Sequence, residues 1–120
     1  MIRIVGVQRS DQVEGEFVLL QNQGAMRQHL RGHLVLSELA YEGQAGSHLF
    51  NDDVHIGPSQ FVMLKSGAGR SGWRQSRDGQ LMYIAFAGQC QRIWGPECRA
   101  VHVLHVQHSY CERQREPLVV

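Results

Sequence analysis

Turn signals recur every ~8–12 residues along this chain, and the runs between them are rich in β-branched and aromatic residues. No amphipathic helical pattern interrupts them. That spacing restricts the chain to an all-β class, a sandwich or barrel of short strands. Strand-like runs fall at 2–8, 16–21, 32–39, 47–50, 54–56, 60–65, 81–86 and 100–108. Asn22-Gln23-Gly24, Asn51-Asp52-Asp53 and Gly57-Pro58-Ser59 supply turns. The expectation is about seven to nine short, mostly antiparallel strands. Residues 25–30 are too few for an independent helix and read as a helical turn. Residues 66–79, which hold Gly67, Gly69, Gly72 and Gly79, read as the longest irregular segment.

A length of 120 residues fits one domain with a single core that needs no staples. The domain is expected to span 1–111, followed by a charged, flexible tail at 112–120. Net charge is +1, so no overall field draws the chain to nucleic acid or anionic lipid. The cations are lopsided, since Lys65 is the sole lysine beside the arginines. Arginine enrichment suits contact surfaces, but biased coding is the plainer account of it. Three cysteines, an odd count, argue against a fully paired secreted scaffold. The start of the chain has no leader-like pattern, and no apolar run reaches the ~20 residues of a membrane helix. A reducing, cytoplasmic setting without membrane contact is the expectation.

The run Gly15-Glu16-Phe17-Val18-Leu19-Leu20-Gln21-Asn22 carries the most information. Alternation puts Phe17 and Leu19 on one face and Val18 and Leu20 on the other. Both faces are apolar, as in a strand covered on two sides or packed by a loop near a sheet edge. Phe17, Phe61 and Trp94 are expected to share the interior.

This run resembles the opening strand of lamin tail domains, a Gly-Glu-aromatic-Val strand with a following Asn. Three further segments are similar to that family in order and spacing. One is Leu30-Arg31-Gly32-His33-Leu34-Val35-Leu36, where His33 stands in place of the usual Trp. Another is His48-Leu49-Phe50 with residues 56–69, ending in Gly67-Ala68-Gly69. The last is Ile93-Trp94-Gly95. The resemblance covers residues 2–110. It implies an immunoglobulin-like β-sandwich without catalytic residues, whose relatives bind proteins and, in nuclear lamins, chromatin components and DNA. Fold analogy does not choose among those partners. The chain has no heptads and so no filament rod.

Candidate chemistry is sparse. His102, His105 and His108 recur at a metal-like spacing, but on a strand His105 faces away from the other two. His102 and His108 then stand about 20 Å apart, too far to share one ion. Cys90 and Cys98 flank Trp94, either bridged or as separate thiols. Gly67-Ala68-Gly69-Arg70-Ser71-Gly72 lacks the Gly-Lys-Ser/Thr ending and the following helix of a phosphate loop. Arg70, Arg74 and Arg77 around Trp73 form a candidate binding loop, able to stack on a base or clamp an anion. The plainer reading is a solvated loop with Trp73 folded onto the sheets. No catalytic signature or cofactor motif is present.

The sequence reads best as a non-catalytic interaction module that binds a protein partner through loops or a sheet edge, with homodimers by sheet extension as a further expectation. The alternative is a nucleic-acid-binding domain using Arg70, Arg74 and Arg77, with Arg92 and Arg99. A remote alternative is a histidine-based metal-binding protein.

Overall fold

Ten strands run through the described residues, and residue alternation decides what each one buries. The computed structural model describes residues 1–43, 46–97 and 99–106. The strands are β1 (Ile2–Gln8), β2 (Phe17–Asn22), β3 (Gln28–His29), β4 (His33–Ser37), β5 (Ser47–Leu49), β6 (His55–Ile56), β7 (Phe61–Lys65), β8 (Gly72–Gln75), β9 (Leu81–Phe86) and β10 (Val101–His105). They form a five-stranded sheet of order β1-β2-β7-β9-β8, a three-stranded sheet β10-β4-β5 and a two-stranded ribbon β3-β6. The β7–β9 pair is parallel, and every other pair is antiparallel. The fold is all-β, and its helical turns are short 3₁₀ segments at Val13–Gly15 and Glu38–Glu42.

The core draws on every sheet. Val18 and Leu20 of β2, Val62 and Leu64 of β7, and Tyr83 and Ala85 of β9 point inward. Val35 of β4 meets them, together with Leu30, Phe50, Ile56, Ile93 and Trp94 from the connections and the ribbon. Each fully buried aliphatic side chain contributes about 1.5–3 kcal/mol relative to exposure.

Two members of the expected aromatic trio are not in that core. Trp94 is fully buried, whereas Phe17 and Phe61 are only partly buried and lie outside the cluster. The strand period is two, so placing Val18 and Val62 inside turns their aromatic neighbours outward. Ring size suggested an interior place, but the two-residue alternation fixes the outcome. Other segments also differ from expectation. β8 lies within the stretch read as irregular, and β3 replaces the helical turn by pairing with β6. β4 stops at Ser37 because the Ser37 Oγ accepts the Leu39 N–H and caps the following 3₁₀ turn.

The residue 15–22 stretch buries a polar side chain at each end. Glu16 Oε1 accepts from Ser66 Oγ at 2.7 Å and from the Ile93 N–H at 2.9 Å. Asn22 Nδ2 donates to the Met26 and Ile56 carbonyls, and its Oδ1 accepts from the Gly24 N–H and the N-terminal ammonium. Most buried polar atoms are paired in this way, and among the described residues His48 Nε2 and Trp94 Nε1 are buried without a partner. Glu16 therefore ties β2 to the Trp94 connection. Ser37 Oγ donates to the Trp94 carbonyl, and Arg9 donates to the Gly95 and Arg99 carbonyls from the other side. Gly95 has φ +79°, a left-handed conformation that favours glycine, and a Cβ there would press on the Leu39 side chain.

Candidate interaction surface

The five-stranded sheet turns an apolar face outward. The outward side chains of its three central strands all remain partly exposed, and all but Gln21 and Lys65 are apolar. Register arranges the face in three rows across the strands. The first row runs Arg3, Gln21, Phe61, Met82, Arg74. The middle row runs Gly6, Leu19, Met63, Ile84, Gly72. The third runs Gln8, Phe17, Lys65, Phe86. An antiparallel or mixed sheet that faces water on one side normally alternates apolar and polar residues, and this one does not.

Every charge on that face is positive. Arg3, Lys65 and Arg74 are its ionic side chains, and none of them is ion-paired among the described residues. Lys65 Nζ lies 5.9 Å from the centre of the Phe86 ring, within cation–π range. Arg74 Nη2 donates to the Arg70 carbonyl and Nη1 to the Trp73 carbonyl. Carbonyl acceptors hold the guanidinium in place without neutralising it. β1 carries a bulge at Val5, which shifts the register between Ile4 and Gly6 and leaves Val5 exposed.

The structure separates the candidate loop residues. Trp73 and Arg74 are consecutive in β8 and therefore point to opposite faces. Trp73 sits opposite Tyr83 on the inward side, edge-on at 5.4 Å and 37% exposed. Arg74 faces outward. Arg70 precedes the strand, and Arg77 sits in the turn that Asp78 and Gly79 close. The Asp78 carboxyl lies below its usual range, chiefly because the Ser76 hydroxyl donates to it. Among the described residues no arginine lies over the Trp73 ring.

Four of the described histidines form two stacked pairs. His33 is buried and lies parallel to His105 at 4.2 Å, its Nδ1 at 3.0 Å from the Leu30 carbonyl. Burial pushes its pKa down, with help from His105 and the N-terminal ammonium, against the pull of the Leu30 carbonyl. His29 stacks on His55 at 4.6 Å and meets Asp53 at 2.8 Å. His48 is also depressed by burial, opposed by Asp52. Tyr83 is shifted upward by burial and by donating to the Asp52 carboxylate at 2.6 Å. Among the described residues no three His, Cys, Asp or Glu side chains converge as metal ligands. His102 and His105 alternate across β10, and His108 lies outside the described residues. Cys90 is free and exposed, and Cys98 and Cys111 lie outside the described residues, as does the expected boundary at 111.

A shallow cleft beside the Trp94 connection is lined by Arg9, Asp11, Glu16, Cys90 and Arg92. Its polar groups are already engaged. Arg9 holds two carbonyls, Glu16 holds two donors, and Arg92 reaches the Ser10 carbonyl and lies 4.0 Å from Asp11. Among the described residues no helix is long and apolar enough to cross a membrane.

The sequence reading overlooked Met63, Met82, Ile84 and Phe86 as surface residues. The signal was the two-sided apolar pattern of residues 16–21, repeated at 61–64, which marks strands apolar on both faces whatever covers them. Comparison with protein-family models, with curated proteins and with solved structures found no match to the chain.

Proposed function

We propose that this chain is a non-catalytic interaction module, an immunoglobulin-like β-sandwich of lamin tail type that binds a protein through the outward face of its five-stranded sheet. The observation that carries the reading is that face. Its central strands leave Leu19, Phe61, Met63, Met82 and Ile84 partly exposed, and Gly69 packs against the Phe86 ring at one corner. Contiguous apolar patches of this kind mark contact sites. The sandwich reading is supported by Glu16 and Asn22, buried at the two ends of the resembling strand, and by Trp94, buried in the connection before β10. His33, which replaces the family's Trp, is buried and stacked on His105. The nucleic-acid alternative is weaker because Trp73 and Arg74 face opposite ways.

The test uses the full chain as bait, beside Ile84→Arg and a control, Arg77→Glu, both checked for unchanged far-ultraviolet circular dichroism. The proteins retained by the wild type are expected to be lost by Ile84→Arg and kept by Arg77→Glu. An identical retained set for Ile84→Arg contradicts the placement of the interface.

A further inference from the structure

Resting on that reading of the outward face, we infer that its occupant is an acidic amphipathic helix laid across the strands along the middle row. The row Gly6, Leu19, Met63, Ile84, Gly72 contains no polar side chain, and glycine stands at both ends. Beyond Leu19 and Ile84 the row carries no side chain of its own. The first and third rows flank it. Residues two apart on a strand are separated by about 6.6 Å, so the flanking rows stand about 13 Å apart. A face of that width seats an α-helix, whose diameter with side chains is about 10–12 Å. Strands lie ~4.8 Å apart, so the middle row crosses five strands in about 19 Å, the length of about 13 helical residues. Met63 and Met82 supply adaptable contacts in the middle row and beside it.

Charge selects the sign of that helix. Arg3 and Arg74 stand at the two ends of one flanking row, and Lys65 stands in the other. Arg74 folds over Gly72, where an added Cβ would lie 2.9 Å from its Nη1, so its charge sits over one end of the middle row. No carboxylate projects from the outward face of these strands. A helix with an apolar stripe bordered by Glu or Asp on both flanks meets all three cations. Complementary charge of this kind sets partner choice more than raw affinity.

A second copy and a membrane fit less well. Two such faces stacked on each other bring cations against cations. A lipid surface takes up apolar groups that reach about 5–10 Å into the headgroup boundary. Here the apolar side chains of the central strands stand shoulder to shoulder and are partly buried.

The experiment titrates the isotope-labelled full chain with a peptide of about 13 residues that carries a leucine stripe flanked by glutamates. Its twin has the same stripe flanked by lysines. The glutamate peptide is expected to shift the amides of Leu19, Met63 and Ile84 and to bind at least about tenfold more tightly than its twin. Lys65→Glu with Arg74→Glu, which leaves the apolar row intact, is expected to reverse that preference. Equal binding of both peptides, with Ile84→Arg abolishing both, overturns the acidic preference while leaving the contact surface standing. Shifts confined to other surfaces overturn both readings, and no binding of either peptide overturns the helix while leaving the contact surface to the Ile84→Arg capture. Ile84-dependent sedimentation with vesicles of roughly one-third phosphatidylserine, in the absence of peptide binding, overturns the helix in favour of lipid. Ile84-dependent dimerisation of the chain alone overturns it in favour of a second copy.

Discussion

The same three strands show two different surfaces depending on which alternate residues are read. Inward, Val18, Leu20, Val62, Leu64 and Ala85 are nearly or wholly shielded from water. Outward, Leu19, Met63 and Ile84 are as apolar but partly exposed. Hydrophobicity alone therefore does not define the core. A residue joins it through packing against a second layer, which β4, β10 and the Trp94 connection provide on the inward side, and no strand among the described residues provides on the other. The inward set holds the fold together, and the outward set is free for the proposed contact.

Substitution tests that contrast most sharply. Trp94→Ala is expected to cost about 3–5 kcal/mol in urea unfolding, because it empties the largest buried site. A loss near 1 kcal/mol would break the contrast by making the Trp94 connection peripheral. Leu64→Ala is expected to cost about 2–5 kcal/mol and its neighbour Met63→Ala about 1 kcal/mol or less. Equal costs would show that the outward face is covered as well. Ser66→Ala removes a donor from the buried Glu16 carboxyl and is expected to cost about 1–3 kcal/mol.

Acidity sharpens the comparison on the inner side. His33 and His48 titrate below their ordinary value in the folded chain because burial disfavours the charged ring. Above about pH 6.5 neither the folded nor the unfolded chain protonates these rings, so they impose no pH dependence there. Below it, the unfolded chain takes up protons that the folded chain refuses, and stability falls until the depressed folded values are passed. The melting temperature is expected to drop between about pH 7 and pH 5, and His33→Gln is expected to flatten part of that slope. An unchanged slope would remove His33 from the titrating set. The smallest effect belongs outside. Lys65→Gln is expected to change stability by less than about 0.5 kcal/mol, as exposed substitutions do.

Strand positions were largely legible from alternation and turn residues. β1 and β9 coincide with their expected runs, and β2, β4, β5, β7 and β10 lie within one to three residues of theirs at each end. Which way the strands face was not legible at Phe17 and Phe61. A strand apolar on both sides satisfies either parity, and only the second layer breaks the tie. β8 was hidden because Gly72-Trp73-Arg74-Gln75 has no alternating apolar pattern and draws its order from pairing with β9. The aromatic and basic composition of residues 70–77 was visible, but its division between two faces was not, since that division appears only once the segment is a strand. The polar anchors Glu16 and Asn22 stood in the quoted motif, while their burial depended on partners far away in the chain.

The parallel pairing of β7 with β9 has a consequence for the order of events at the ribosome. The chain leaves β7, forms the edge strand β8, and only then delivers the strand that fits between them. At ~5–20 residues per second, the interval between the emergence of Lys65 and Phe86 lasts roughly 1–4 s. During it the newborn β7 offers an unzipped flank and two greasy sides to whatever is near. The segment 61–65 is thus where a nascent chain of this kind most needs a chaperone's cover.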